Sequence, residues 1–67
     1  MKLSARNQLR GTVKSITSGA VMAEVVVDVA GNEITAAITR ASAERLGLGE
    51  GDAVTVIIKA TDVLLAR

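Results

Sequence analysis

Sixty-seven residues with a net charge of +1, 49% of them apolar and none of them Phe, Trp, Tyr, Cys, His or Pro, set narrow limits on this chain. A chain this short makes one domain, residues 1–67, and buries only about 60% of the surface its unfolded form exposes. Without Cys or His it has no disulfide and none of the usual zinc ligands, so oligomerisation is the staple left to it.

The pattern along the chain is mostly of period two. Leu9, Gly11 and Val13 fall on one face of a first strand, with Gln8, Arg10, Thr12 and Lys14 on the other. "TSG", Thr17 to Gly19, reads as a turn. From Ala20 a second strand sets Val21, Ala23, Val25, Val27 and Val29 on one face and Ala20, Met22, Glu24, Val26 and Asp28 on the other. Met22 and Val26 on that mixed outward face are what a subunit contact needs, or they are scattered surface apolars. "AGNE", Ala30 to Glu33, predicts a hairpin turn with Gly31 and Asn32 at positive φ. Ile34, Ala36 and Ile38 then alternate inward, and Thr35, Ala37 and Thr39 outward. "RASAERLGLG" leaves period two and predicts a short helix at about Ala41–Leu46, with Thr39 or Arg40 before its first turn and Gly47 as a left-handed cap. "GEGD", Gly49 to Asp52, is another turn. Val54, Val56 and Ile58 alternate with Thr55, Ile57 and Lys59 in a fourth strand, and "DVLLAR" reads as a short fifth. The predicted order is β-β-β-α-β-β, an all-β fold with one short helix and the element count of a five-stranded OB-like barrel.

Most chemistry fails by absence. No His or Cys is available for a nucleophile–base pair, and no Ser stands in a nucleophile-elbow context. The carboxylates are dispersed over turns and outward strand positions, with no spacing that converges two on one cleft. The chain is not expected to be an enzyme. An OB barrel that binds nucleic acid relies on aromatic stacking, and the charge balance offers no bulk attraction to nucleic acid or lipid headgroups. No apolar run approaches the roughly 20 residues of a membrane span and no signal-peptide core follows Met1, which makes the cytoplasm the default location.

What remains is a set of hydrogen-bond donors. In an extended segment Ser4 and Arg6 project from one face about 6.6 to 6.8 Å apart. One supplies a hydroxyl, the other a planar fork of N–H groups suited to oxyanions. Lys59 adds an ammonium on an outward strand position. Alone, these are as well read as solvated surface charges.

The run "SARNQLRGTV", Ser4 to Val13, resembles the signature of the molbindin (Mop domain) family of small cytoplasmic oxyanion binders. "SGAVMAEV" (Ser18 to Val25), "ITRASAERLGLGEGD" (Ile38 to Asp52) and "VIIKATDVLLA" (Val56 to Ala66) follow in the family's order and spacing, so the resemblance spans essentially the whole chain. It implies an OB-like barrel assembled as a homohexamer, a trimer of dimers, holding molybdate or tungstate between subunits for intracellular storage or homeostasis. The family also occurs fused to transport ATPases and to a repressor. A structural or interaction role within a larger molybdate system, without storage, is the alternative.

By the same resemblance, the main oxyanion site falls on Ser4, the backbone amides of Ala5 and Arg6, and the Arg6 side chain. Lys59 and Ala60 form the opposing wall, with Thr39 as a further hydroxyl donor or else only a helix cap. Ala60 stands where relatives often carry Ser, which leaves it a backbone N–H alone. A second site, near a symmetry axis, falls on the amides of Ser18, Gly19, Ala20 and Val21, with Met22 where many relatives have Asn. No directly coordinated metal and no catalytic cofactor are implied. A cage of donors matches a fully deprotonated tetrahedral dianion. Hydrogen phosphate would set its proton against another donor, at a cost of about 1 to 3 kcal/mol. Sulfate escapes that filter, and cavity size has to reject it.

Overall fold

A computed structural model describes residues 6–67. Its elements are β1 (Asn7–Ser18), β2 (Met22–Val29), β3 (Asn32–Thr39), α1 (Arg40–Leu46) and β4 (Ala53–Ile58), followed by a 3-10 turn at Ala60–Asp62. The strands form one antiparallel sheet in the order β3-β2-β1-β4. The alternations in β2, β3 and β4 hold: Ala23, Val25 and Val27 are buried, and Ile34, Ala36, Ile38, Val54, Val56 and Ile58 are half-buried between exposed neighbours. Met22 is 48% exposed and Val26 half-buried on the opposite side.

β1 runs longer than the sequence suggests. It continues through Ser18, and the turn falls on residues 19–21, closed by the Gly19 amide donating to the Met22 carbonyl at 2.7 Å. A bulge interrupts its pairing with β2 between Val13, opposite Val27, and Ser15, opposite Val26. The extra residue is Lys14. Strict alternation from Val13 would turn Ser15 and Thr17 inward and Ile16 out. The inserted residue reverses the phase, so that Ile16 stands opposite buried Val25 and packs on the core. The bulge also leaves Val13's backbone to the turn at residues 49–52, donating to the Asp52 carbonyl at 2.9 Å and accepting from the Gly51 amide at 2.8 Å. Lys14 itself is exposed and donates to the Glu33 carboxylate; that hydrogen bond and the charge behind it hold its pKa above the usual 10.5.

Val29 pairs with Asn32, so the β2–β3 hairpin turns on two residues, Ala30 (φ 51°) and Gly31 (φ 86°). The expected positive φ at Asn32 is therefore corrected to Ala30. With positive φ at both central positions this two-residue loop is of the type I′ kind, which matches the right-handed twist of its strands. Gly11 serves a different need. A Cβ there would lie 2.6 Å from Val27 Cγ1, 2.7 Å from the Asp28 carbonyl oxygen and 2.9 Å from Val29 Cγ2, so only glycine allows β1 this close to β2.

The helix starts at Arg40, one residue before the expected position, capped by Thr39, and ends on Gly47 in the left-handed region (φ 63°, ψ 34°). Val13, Val25 and Val27 form the core, with Ile16, Val29, Ile38, Leu48, Val54 and Val56 packed around them.

The expected fifth strand is absent. After the 3-10 turn, residues 63–67 take no regular structure, and Leu64 and Leu65 are 92% and 94% exposed. A strand exists only by pairing, and this segment lies against neither sheet edge in its own chain. An open apolar groove of about 470 Å³ remains on the core side, lined by Val25, Val27, Ile38, Leu48, Val54 and Val56 among others.

Candidate functional site

β1 and β4 pair from Thr12↔Ala53 to Asn7↔Ile58. The positions next beyond the last pair are Arg6 and Lys59, one on each strand. Alternation puts both on the outward face, with Gln8 and Arg10 on β1 and Thr55 and Ile57 on β4. Two cations thus flank the same end of the β1–β4 pair. Both are exposed, and neither ion pair among the described residues, Lys14–Glu33 or Arg40–Glu44, involves them.

Backbone donors join them. Lys59 is extended (φ −64°, ψ 139°) and its carbonyl accepts from the Asp62 amide at 2.9 Å, while the Ala60 carbonyl accepts from the Val63 amide at 3.3 Å. The first amides of such a turn, those of Ala60 and Thr61, find no partner within it. A guanidinium fork, an ammonium and two free amides can surround an oxyanion with hydrogens and confront it with no lone pair. Ser4 and Ala5 lie outside the described residues.

Thr39 does not belong to this cluster within one protomer. It pairs with Met22, and Ala23 in turn pairs with Ser18, so Thr39 stands by the Ser18 end of the 12-residue β1 and Arg6 by the other. Its hydroxyl is committed: Oγ1 accepts from the Ser42 amide at 3.0 Å and donates to Ser42 Oγ at 2.8 Å, which also accepts from Arg45 at 3.1 Å. That is the helix cap.

What Thr39 does approach is the second predicted group. Ser18 ends β1, Gly19, Ala20 and Val21 make the turn, and the Val21 carbonyl accepts from the Arg40 amide at 2.7 Å. The Gly19 amide is spent on Met22, whereas those of Ala20 and Val21 have no backbone acceptor among the described residues. The chain therefore carries two separate donor clusters, at opposite ends of β1. Within one protomer Thr39 thus lies with the second group rather than the first, which spacing along the chain does not show. The sequence pattern also gave no role to Arg10, which shares the outward face of Arg6 and Lys59.

Comparison with known proteins identifies the family. The TOBE domain family model covers residues 3–65. Molybdenum-pterin-binding protein 1 of Clostridium pasteurianum is 48% identical over 66 residues, 97% of each chain. A molybdate-binding protein from Sporomusa ovata superposes with a TM-score of 0.95 at 48% identity, covering 100% of both chains. MopA of Rhodobacter capsulatus is 48% identical over 67 residues, 98% of this chain but 25% of its own. The chain belongs to the TOBE domain family and, within it, to the small Mop (molbindin) proteins.

Proposed function

We propose that this protein is a non-catalytic binder of tetrahedral oxyanions, molybdate and tungstate, in intracellular molybdenum storage or homeostasis. The observation that carries the reading is that Arg6 and Lys59 flank the same end of the β1–β4 pair, Lys59 followed by the amides of Ala60 and Thr61. Two adjacent cations repel when nothing lies between them, and a dianion turns that repulsion into two charge-assisted contacts. The guanidinium spans two oxygens and the ammonium takes a third, and by the family resemblance Ser4 and the Ala5 and Arg6 amides are further donors. Likeness over its whole length to a molybdate-binding protein from Sporomusa ovata supports the same ligand.

The cage is completed between copies. Within one protomer Thr39 is remote from Arg6 and Lys59, so a main site that includes it takes donors from two chains, while the Ser18–Val21 amides form the second site. The fifth strand has the same solution. Val63–Ala66 of one protomer fills the apolar groove of another and adds to its free sheet edge, burying leucines that stand exposed in a lone chain. Met22 and Val26 offer a further apolar contact, and the resemblance sets the assembly at a homohexamer.

A second reading rests on the matches to longer proteins, where a similar segment is about a quarter of the whole, as in MopA and the molybdenum transport protein ModE of Azotobacter vinelandii. By likeness to ModE, named a molybdenum transport protein, the domain would serve as a transport module rather than a store. The cytoplasmic location follows the relative described as the cytoplasmic molybdate-binding protein ModG, and no helix among the described residues is long and apolar enough to cross a membrane.

Calorimetric titration with molybdate, tungstate and sulfate tests the reading. Molybdate and tungstate heats that vanish in Arg6→Ala, with the oligomer retained, are expected. Equal heats in wild type and variant refute the site, and no heat from either anion in wild type refutes the function.

A further inference from the structure

β1 and β4 contain no Asp or Glu; their charges are Arg10 and Lys14 alone. Lys14 is neutralised by Glu33. Arg10 is exposed, stands opposite Thr55 on the outward face, and enters neither ion pair among the described residues. By register the carboxylates bordering this face are Asp28, opposite Thr12, and Asp62, in the turn after Lys59. Between them lies a strip without negative charge that leads from Arg10 past Gln8 and Ile57 to Arg6 and Lys59. At about 3.3 Å per residue, Arg10 is roughly 13 Å from Arg6 along the strand, too far to touch an anion held there.

We infer that Arg10 is a steering residue: it sets how fast an oxyanion dianion reaches the Arg6–Lys59 site without contacting it once bound. The inference rests on the oxyanion reading and gives that site an approach path. A unit charge acting on a dianion over about 13 Å in water, screened with a Debye length of about 30 Å at 0.01 M salt, changes the encounter rate about two- to threefold. At 1 M salt the Debye length is about 3 Å and the effect disappears. A charge outside the cage acts on arrival, whereas one inside it acts on residence as well.

The test is a molybdate titration of ¹⁵N-labelled protein, with association and dissociation rates taken from NMR line shapes in about 0.01 M and 1 M salt. Arg10→Gln should lower association about two- to threefold at low salt, leave it unchanged at 1 M, and leave dissociation unchanged at both. Arg10→Lys, which keeps the charge, should match wild type. An Arg10→Gln association rate equal to wild type at low salt overturns the inference, as does a loss that persists at 1 M or a changed dissociation rate. Either of the last two would make Arg10 a contact. If wild type shows no molybdate shifts at all, the oxyanion reading falls and takes the inference with it. Wild-type binding with an unslowed Arg10→Gln sinks the steering alone.

Discussion

Replacing Leu65 by Asp tests how the protein assembles. In an extended Val63–Ala66 segment, side chains alternate between faces, so Val63 and Leu65 share one and Leu64 and Ala66 the other. The Val63–Leu65 face is the larger apolar one, and under the proposed exchange it is the face that enters the groove lined by Val25, Val27, Ile38, Leu48, Val54 and Val56. Leu65 is 94% exposed in a single chain, so association removes nearly its whole side chain from water. Burying a leucine fully is worth about 1.5 to 3 kcal/mol. A reciprocal exchange buries two, about 3 to 6 kcal/mol, which is roughly two to four decades in the dissociation constant. An aspartate in an apolar groove adds its own desolvation cost. Analytical ultracentrifugation across a dilution series should show Leu65→Asp dissociating at concentrations where wild type stays assembled. Leu64→Asp should dissociate less, its side chain lying on the other face. A Leu65→Asp protein of unchanged mass and dilution behaviour would refute the exchange.

Other consequences follow from the same geometry. Gly11→Ala forces a methyl into a backbone carbonyl and two valine side chains, and should destabilise by about 1 to 3 kcal/mol, read as a lowered thermal midpoint; an unchanged midpoint would contradict the close β1–β2 approach. Ala30→Gly should raise the midpoint, because a left-handed alanine costs about 1 to 2 kcal/mol, more than the roughly 0.4 to 1 kcal/mol by which glycine favours the unfolded chain. Thr39→Ala should cost about 0.5 to 2 kcal/mol of stability from the lost helix cap, read as a lowered thermal midpoint; an unchanged midpoint would contradict the cap.

The parts of the fold legible in the sequence are those where one residue type repeats at a fixed period. Val25–Val27, Ile34–Ala36–Ile38 and Val54–Val56–Ile58 alternate cleanly, and a face exposed to water on one side dictates that alternation. The bulge at Lys14 was not legible, since an inserted residue in an all-L strand needs no special side chain and shows only as a phase change between Val13 and Ile16. Ala30 concealed its turn conformation because hairpin register, not residue preference, chose which two positions turn left-handed. The fifth strand shows the limit of composition: Val63, Leu64 and Leu65 favour strand, but pairing belongs to whichever edge is free. The candidate site divides the same way. Arg6 and Lys59 were recognisable as donors, and the β1–β4 register sets them at the same end of that pair. Separating Thr39 from them needed the strand order, which no local pattern contains.

Crystals soaked in sodium tungstate, examined by anomalous scattering at the tungsten edge, address the oxyanion claim directly. The account predicts heavy-atom density within hydrogen-bonding reach of the Arg6 guanidinium and the Lys59 ammonium, with a second protomer completing the shell. A fully soaked crystal with no tungsten at that end of the β1–β4 pair would contradict it.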